Sequence, residues 1–295
     1  MAHLDHLFFT ESIAVIGASS NRMKFGYKFF SALIEAGYKG RLYPINKNED
    51  EILGHKTYPS ILDVPERVDY AIFCIPAHYV AQATKECGEK GVRGIQLFTA
   101  GFKETESKEG IEREKLLVET AKKYGIRIIG PNCIGISCTE SRISYGPMPI
   151  VGEPGPVSLF SQSGGHAGSL LRDGLQRGIK FNKIVSYGNG CDVNATELLE
   201  YFLGDSKTLI IGGYIEGLED GRKFFEIAKK VSKIKPTIIW KGGMTDTGAK
   251  TAASHTGSIS GSNLIWKNAL KQTGIISVQG FEELADTLLG LSYLP

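Results

Sequence analysis

The chain has 295 residues, 42% apolar and 22% charged, with a formal net charge of +2 at pH 7. That length admits two domains of ordinary size, and that balance describes a soluble globular protein. No clustered basic face marks a nucleic-acid footprint and no apolar run approaches the roughly eighteen residues of a membrane span, so neither partner is expected.

In chain order, the first half alternates short apolar runs with helical patterns. Strands are expected at 12–17, 41–46, 69–75, 94–100 and 127–130, and helices at 27–36, 78–90 and 111–124. Such alternation implies right-handed crossovers and a parallel, doubly wound sheet. Residues 143–156 contain four prolines and three glycines and read as the stretch between domains. The expected division is therefore 1–145 and 146–295. A second α/β series follows, with strands at 157–161, 183–186, 208–215 and 237–240. Its helices are expected at 165–177, 197–202, 221–234, 264–272 and 281–292.

The N-terminus lacks a basic stretch and carries Asp5 and Glu11 among its apolar residues, unlike a secretory signal. The five cysteines are odd in number and show no Cys-x-x-Cys pair. Reduced, mostly buried thiols in a cytoplasmic protein are expected, with no metal site.

The strand ends carry the chemistry. The first strand runs into Gly17-Ala18-Ser19-Ser20, with Gly26 before the next helix, which is not the Gly-x-Gly-x-x-Gly of dinucleotide binders. The second ends in Asn46-Lys47, where an NAD site calls for an acidic residue; neutral then basic suits NADP or coenzyme A. An ordinary turn with a surface lysine accounts for Lys47 as well. Ile75-Pro76, Thr99-Ala100-Gly101 and Asn132-Cys133 close the later strands, and together they outline one crevice.

In the second half, Ser161-Gln162-Ser163-Gly164-Gly165 opens a helix. Backbone N–H groups there, beside hydroxyls, suit an anion. An N-cap explains one such serine equally well; two serines with two glycines favour phosphate. His166 reads as a packing residue of the first turn, because the positive end of the helix disfavours a charged imidazole. Glu216 closes a very apolar strand, where a carboxylate can orient a histidine; alone it reads more often as a solvated loop residue. His255 lies in a run of small and hydroxyl-bearing residues after the strand at 237–240, and residues 245–258 contain no large apolar side chain. Imidazole serves as both nucleophile and acid/base near neutral pH, so His255 is the candidate nucleophile.

Six motifs in order carry a resemblance: Ala14-Val-Ile-Gly-Ala-Ser19, Gly130-Pro-Asn-Cys133, Ser161-Gln-Ser-Gly164, Ser186-Tyr-Gly-Asn189, Ile215-Glu-Gly217 and Ser254-His-Thr-Gly-Ser258. The chain resembles the α part of the NDP-forming acyl-CoA synthetases, which include succinyl-CoA synthetase and ADP-forming acetyl-CoA synthetase, and it is more similar to the latter. The resemblance implies a Rossmann-like CoA-binding domain followed by a flavodoxin-like ligase domain. It implies that His255 is transiently phosphorylated, that Glu216 orients it, and that Ser163, Gly164 and Gly165 hold phosphate. Gly17, Ala18, Ser19, Lys47, Ile75, Pro76 and Gly101 would lie near CoA, with Asn132 and Cys133 where thioester chemistry occurs.

Departures accompany it. Gly165-His166-Ala167 stands where relatives carry small or apolar residues, and Gly190-Cys191 replaces the Lys-Ala common after Gly-Asn. The chain stops at Pro295, where ADP-forming acetyl-CoA synthetase α chains continue into a third domain. The resemblance therefore implies an acid–CoA ligase that needs a β-type subunit bearing an ATP-grasp domain with ATP, ADP and Mg2+, or else a fragment of a longer synthetase. The alternative is a non-enzymatic CoA- or acyl-CoA-binding regulatory module of the same fold; an NADP-dependent reductase leaves the histidine run unexplained.

Overall fold

A computed structural model describes residues 3–149, 152–243 and 263–294. The first half runs α1 (Asp5–Phe8), β1 (Ser12–Ile16), α2 (Phe25–Glu35), β2 (Arg41–Ile45), the short hairpin β3 (Glu51–Ile52) and β4 (His55–Lys56), and β5 (Tyr70–Phe73). It continues with α3 (Val80–Lys90), β6 (Gly94–Leu97), α4 (Lys108–Tyr124) and β7 (Arg127–Ile129). The second half comprises β8 (Gly135–Cys138), β9 (Val157–Ser161), α5 (Gly164–Arg177), β10 (Phe181–Ser186), α6 (Ala195–Gly204), β11 (Ile210–Ile215) and α7 (Gly221–Val231). β12 (Thr237–Lys241), α8 (Asn263–Thr273), β13 (Ile276–Val278) and α9 (Phe281–Tyr293) complete it.

The expected fold class is the one observed. One parallel sheet has the order β2-β1-β5-β6-β7, and a second has the order β13-β12-β11-β9-β10-β8. Nearly every residue of β1, β5, β9, β10 and β11 is buried, as strands covered by helices on both faces require. The difference from expectation lies in β8. It precedes residue 145, yet it pairs antiparallel with β10, from Gly135 opposite Ser186 to Cys138 opposite Lys183. The chain thus enters the second sheet before the Pro/Gly-rich stretch begins.

Local chemistry sets the helix ends. Ser107 caps α4 through the N–H of Gly110 at 3.0 Å, and Gly125 ends that helix at φ 69. Asn194 accepts from Thr196 and Glu197 and starts α6 two residues earlier than its apolar pattern alone places it.

The halves share a core. One apolar cluster runs from Leu7, Phe29 and Phe30 through Ile129, Cys133, Ile136 and Cys138 to Leu199, Phe202 and Phe224. Arg127 spans the same junction, with Nε 2.9 Å from Asp192 and a terminal nitrogen 2.7 Å from Glu197. Burial would depress its pKa, but the hydrogen bonds it donates to Glu197 and Asp192 outweigh that and hold it above the ordinary value. No helix among the described residues is long and apolar enough to cross a membrane. The five cysteines are free thiols, three buried and two half-buried.

Candidate functional site

Strand order reverses between β1 and β5 in the first sheet, and open α/β sheets place their ligands at such a point. A cleft of about 720 Å³ lies there. Its walls come from the end of β1 (Gly17), the start of α2 (Lys24, Phe25, Gly26), the end of β5 (Cys74, Ile75, Pro76), the end of β6 (Phe98, Thr99, Ala100) and the turn after β7 (Asn132, Cys133, Ile134). Gly164 and Gly165, at the start of α5, close it from the second half.

Close packing explains two of the glycines. A Cβ on Gly17 would lie 2.5 Å from the Cys74 carbonyl oxygen, and its φ of 87 belongs to the left-handed region. A Cβ on Gly164 would lie 2.5 Å from Ile134 Cγ1. The turn after β7 is pinned by Asn132 N–H donating to Thr99 O at 2.9 Å, with Asn132 at φ 56, a conformation asparagine tolerates better than most. The Cys133 thiol is buried, 3.4 Å from the Leu97 and Ile129 carbonyls, and burial pushes its pKa up to about 12. It stays protonated at neutral pH.

The start of α5 leaves backbone amides beside hydroxyl groups. Ser163 caps it by accepting from His166 N–H at 3.3 Å, and Ser161 Oγ donates to Ser163 O at 2.6 Å. The next amides, those of Gly164 and Gly165, carry no side chains. The His166 ring turns away, with its centroid 4.4 Å from that of Tyr214 and 4.6 Å from that of Trp240. Burial holds its imidazole below the ordinary pKa.

Glu216 follows β11 and is 8% exposed. Tyr214 Oη donates to its Oε1 at 3.2 Å. The backbone N–H groups of Glu216 and Gly217 both donate to Gln162 Oε1, at 2.9 and 3.1 Å. Gln162 immediately precedes Ser163, so the carboxylate-bearing strand end and the start of α5 are tied together. Lys241, in register with Ile215, is also buried, and its ammonium lies 5.2 Å from the Trp266 ring centroid. Burial lowers its pKa, and the Glu216 charge counters part of that.

Comparison with known proteins places this arrangement. A family model described as a CoA binding domain matches residues 11–139, and one described as a succinyl-CoA ligase like flavodoxin domain matches residues 154–291. The α subunit of acetate–CoA ligase (ADP-forming) I from Pyrococcus furiosus is 43% identical, over 99% of this chain and 64% of its own length. The chain belongs to the NDP-forming acyl-CoA synthetase family, in its α part. Another relative within the family, the 4-hydroxybutyrate–CoA ligase (ADP-forming) of Nitrosopumilus maritimus, is 37% identical over 97% of this chain and 41% of its own. The dinucleotide forming acetyl-coenzyme A synthetase 1 of Ca. Korarchaeum cryptofilum, solved in complex with phosphate and ADP, superposes with a TM-score of 0.93 at 39% identity. That match covers 100% of this chain and 63% of that one. The chain thus spans less than two thirds of the length of each of these relatives.

Of the residues singled out from the sequence as a family site, Gly17, Ile75, Pro76, Asn132, Cys133, Gly164 and Gly165 line the one cleft. Ala18, Ser19, Lys47, Gly101, Ser163 and Glu216 are not in its lining. Ala18 is fully buried and Lys47 is exposed. The Gly101 amide is committed to Glu104, whose Oε1 accepts it at 2.6 Å. Ser19 Oγ donates to Glu49 Oε1 at 3.0 Å, and Ser20 N–H to Glu49 Oε2 at 2.8 Å. Burial alone would raise the Glu49 carboxyl; those bonds and the Lys24 charge hold it below its usual value. His255 lies outside the described residues.

Sequence reasoning missed Lys24, Phe25, Phe98, Ile134, Glu49, Glu104 and the Gln162 side chain. Only Glu104 had a local signal, an acidic residue three places after a turn glycine, as in a capping box. The other contacts join residues about thirty or more apart, beyond the reach of any local spacing rule.

Proposed function

We propose that this chain is the CoA- and phosphate-handling α part of an ADP-forming acyl-CoA synthetase, acting on a small carboxylic acid. The observation that carries this is the joint lining of one cleft by the strand ends of the CoA-binding half and the start of α5. The residues fit the substrate: Gly17 and Gly26 bring backbone to the cleft where a Cβ has no room, and about 720 Å³ accommodates an extended thiol.

In this reading, phosphate held by the Gly164 and Gly165 amides attacks the thioester carbonyl. The carbon–sulfur bond breaks, and CoA leaves as the thiol with acyl phosphate remaining. A ring nitrogen of His255 then attacks phosphorus, breaking the bond to the acyl oxygen and releasing the carboxylate. The positive end of α5 offsets charge on the transferring group, as helix starts do for oxyanions. Glu216 accepts the other ring N–H of the histidine and fixes its tautomer. Transfer onward to ADP, with Mg2+, is assigned to a β-type partner carrying an ATP-grasp domain. In the reverse direction the same residues consume ATP.

The test is intact-mass spectrometry of the full chain after incubation with acetyl phosphate, kept away from acid. One phosphoryl group adds about 80 Da. The adduct is expected in the wild type and absent from His255→Ala. An adduct surviving in His255→Ala removes His255 from its role.

A further inference from the structure

Residues that hold a catalytic group in place leave a signature: a buried polar side chain whose acceptor serves another residue's backbone. Gln162 has that signature. It is 8% exposed, and its Oε1 accepts from Glu216 N–H at 2.9 Å, from Gly217 N–H at 3.1 Å and, longer, from Tyr187 Oη at 3.4 Å. Its own N–H donates to Tyr214 O at 3.0 Å. Backbone and side chain of one residue therefore stitch the end of β9 to the end of β11, across the point where the strand order of the second sheet reverses.

Two consequences follow from the chemistry. The N–H groups of Glu216 and Gly217 lie beyond the β11 ladder and would be buried donors without acceptors if Gln162 were apolar. The acceptor is also neutral, so Glu216 is not opposed by a second carboxylate on the strand beside it. A glutamate would satisfy the same two donors but add a negative charge one residue from the Ser163 cap of the anion-binding helix.

We propose that Gln162 is a positioning residue for phosphoryl transfer. It fixes the Glu216 backbone relative to the Gly164 and Gly165 amides, so that the carboxylate and the phosphate cradle keep a set separation. This rests on the phosphohistidine reading above and assigns a residue that reading leaves without a role.

The test uses the full chain and acetyl phosphate, following the rate of His255 labelling against acetyl phosphate concentration, with CoA affinity measured by calorimetry alongside. Gln162→Met, similar in size and without the acceptor, is expected to lower the saturating labelling rate about tenfold, while half-saturation and CoA affinity stay within about twofold. Gln162→Glu keeps the acceptor and adds charge. It is expected to hold the saturating rate within about threefold while raising the half-saturating concentration of the anionic donor. That split is foreign to a merely structural residue, whose loss weakens labelling and CoA binding together. Wild-type labelling kinetics in Gln162→Met overturn the proposal, as does parallel loss of rate and CoA affinity in both variants. An unlabelled wild-type chain overturns the phosphohistidine reading and this inference with it, whereas a labelled wild type with an equally labelled Gln162→Met overturns this inference alone.

Discussion

Gly26 offers the most direct test of how the cleft is built. It lies in the first turn of α2, and a Cβ placed on it would sit 1.9 Å from the Gly17 carbonyl oxygen and 2.8 Å from the Gly17 carbonyl carbon. An ordinary carbon–oxygen contact is about 3.3 Å, so Gly26→Ala drives the start of α2 and the end of β1 apart by about 1.4 Å. Both atoms it would meet are backbone, so no side chain can swing aside. Overpacking of this kind costs about 1–3 kcal/mol, and here it moves two walls of the cleft at once. Urea unfolding should show a lower midpoint for Gly26→Ala, and calorimetry should show CoA binding weakened at least about tenfold, or about 1.4 kcal/mol. Gly290→Ala is the control. Gly290 lies on α9 with no atom within 4 Å of a Cβ, so the same chemical change should stabilise the chain by about 0.5–1 kcal/mol. A Gly26→Ala chain with the wild-type midpoint and wild-type CoA affinity would refute the close-approach argument.

Two further outcomes follow from buried groups. Burial holds the folded imidazole of His166 below the ordinary value of 6.5, so as pH falls through 6.5 the unfolded chain binds more protons and stability is lost on the acid side. Between about pH 7.5 and about pH 5.5 the urea midpoint should drop less for His166→Phe than for the wild type, and equal drops would remove His166 as a source of acid sensitivity. Cys133 lines the cleft with a thiol raised to about 12, so Cys133→Ser should leave His255 labelling unchanged and the native thiol should resist iodoacetamide near neutral pH. Loss of labelling in Cys133→Ser would make the sulfur a participant.

The strands that end in glycine turns were legible because apolar runs of four to six residues followed by Gly17, Gly164 or Gly217 carry a local signal. β8 was not. Gly135 to Cys138 reads as more of the loop after β7, and its partner strand begins more than forty residues later. The cleft was legible as a set of strand ends, since fold class alone puts those ends together. What escaped were the internal acceptors: Glu49 on Ser19 and Ser20, Glu104 on Gly101, and Gln162 on Glu216 and Gly217. An amide that looks open to a ligand in sequence can already be bonded in the fold, and only the three-dimensional partner decides which. Lys24, which carried no sequence signal, lines the cleft, whereas Lys47 lies outside its lining.

The early crossing of the chain into its second sheet bears on how such proteins can be divided. A cut at 145, in the Pro/Gly-rich stretch, would carry β8 away with the first half. That half would expose Ile136 and Cys138, and the second half would be left with β10 as a bare edge, a row of unpaired backbone groups open to aggregation. A cut ahead of β8 restores both sheets but passes through the turn bearing Asn132, Cys133 and Ile134, the floor of the cleft. No single break leaves both a closed sheet edge and an intact cleft. Two units recognisable by sequence are, in this molecule, mechanically one part.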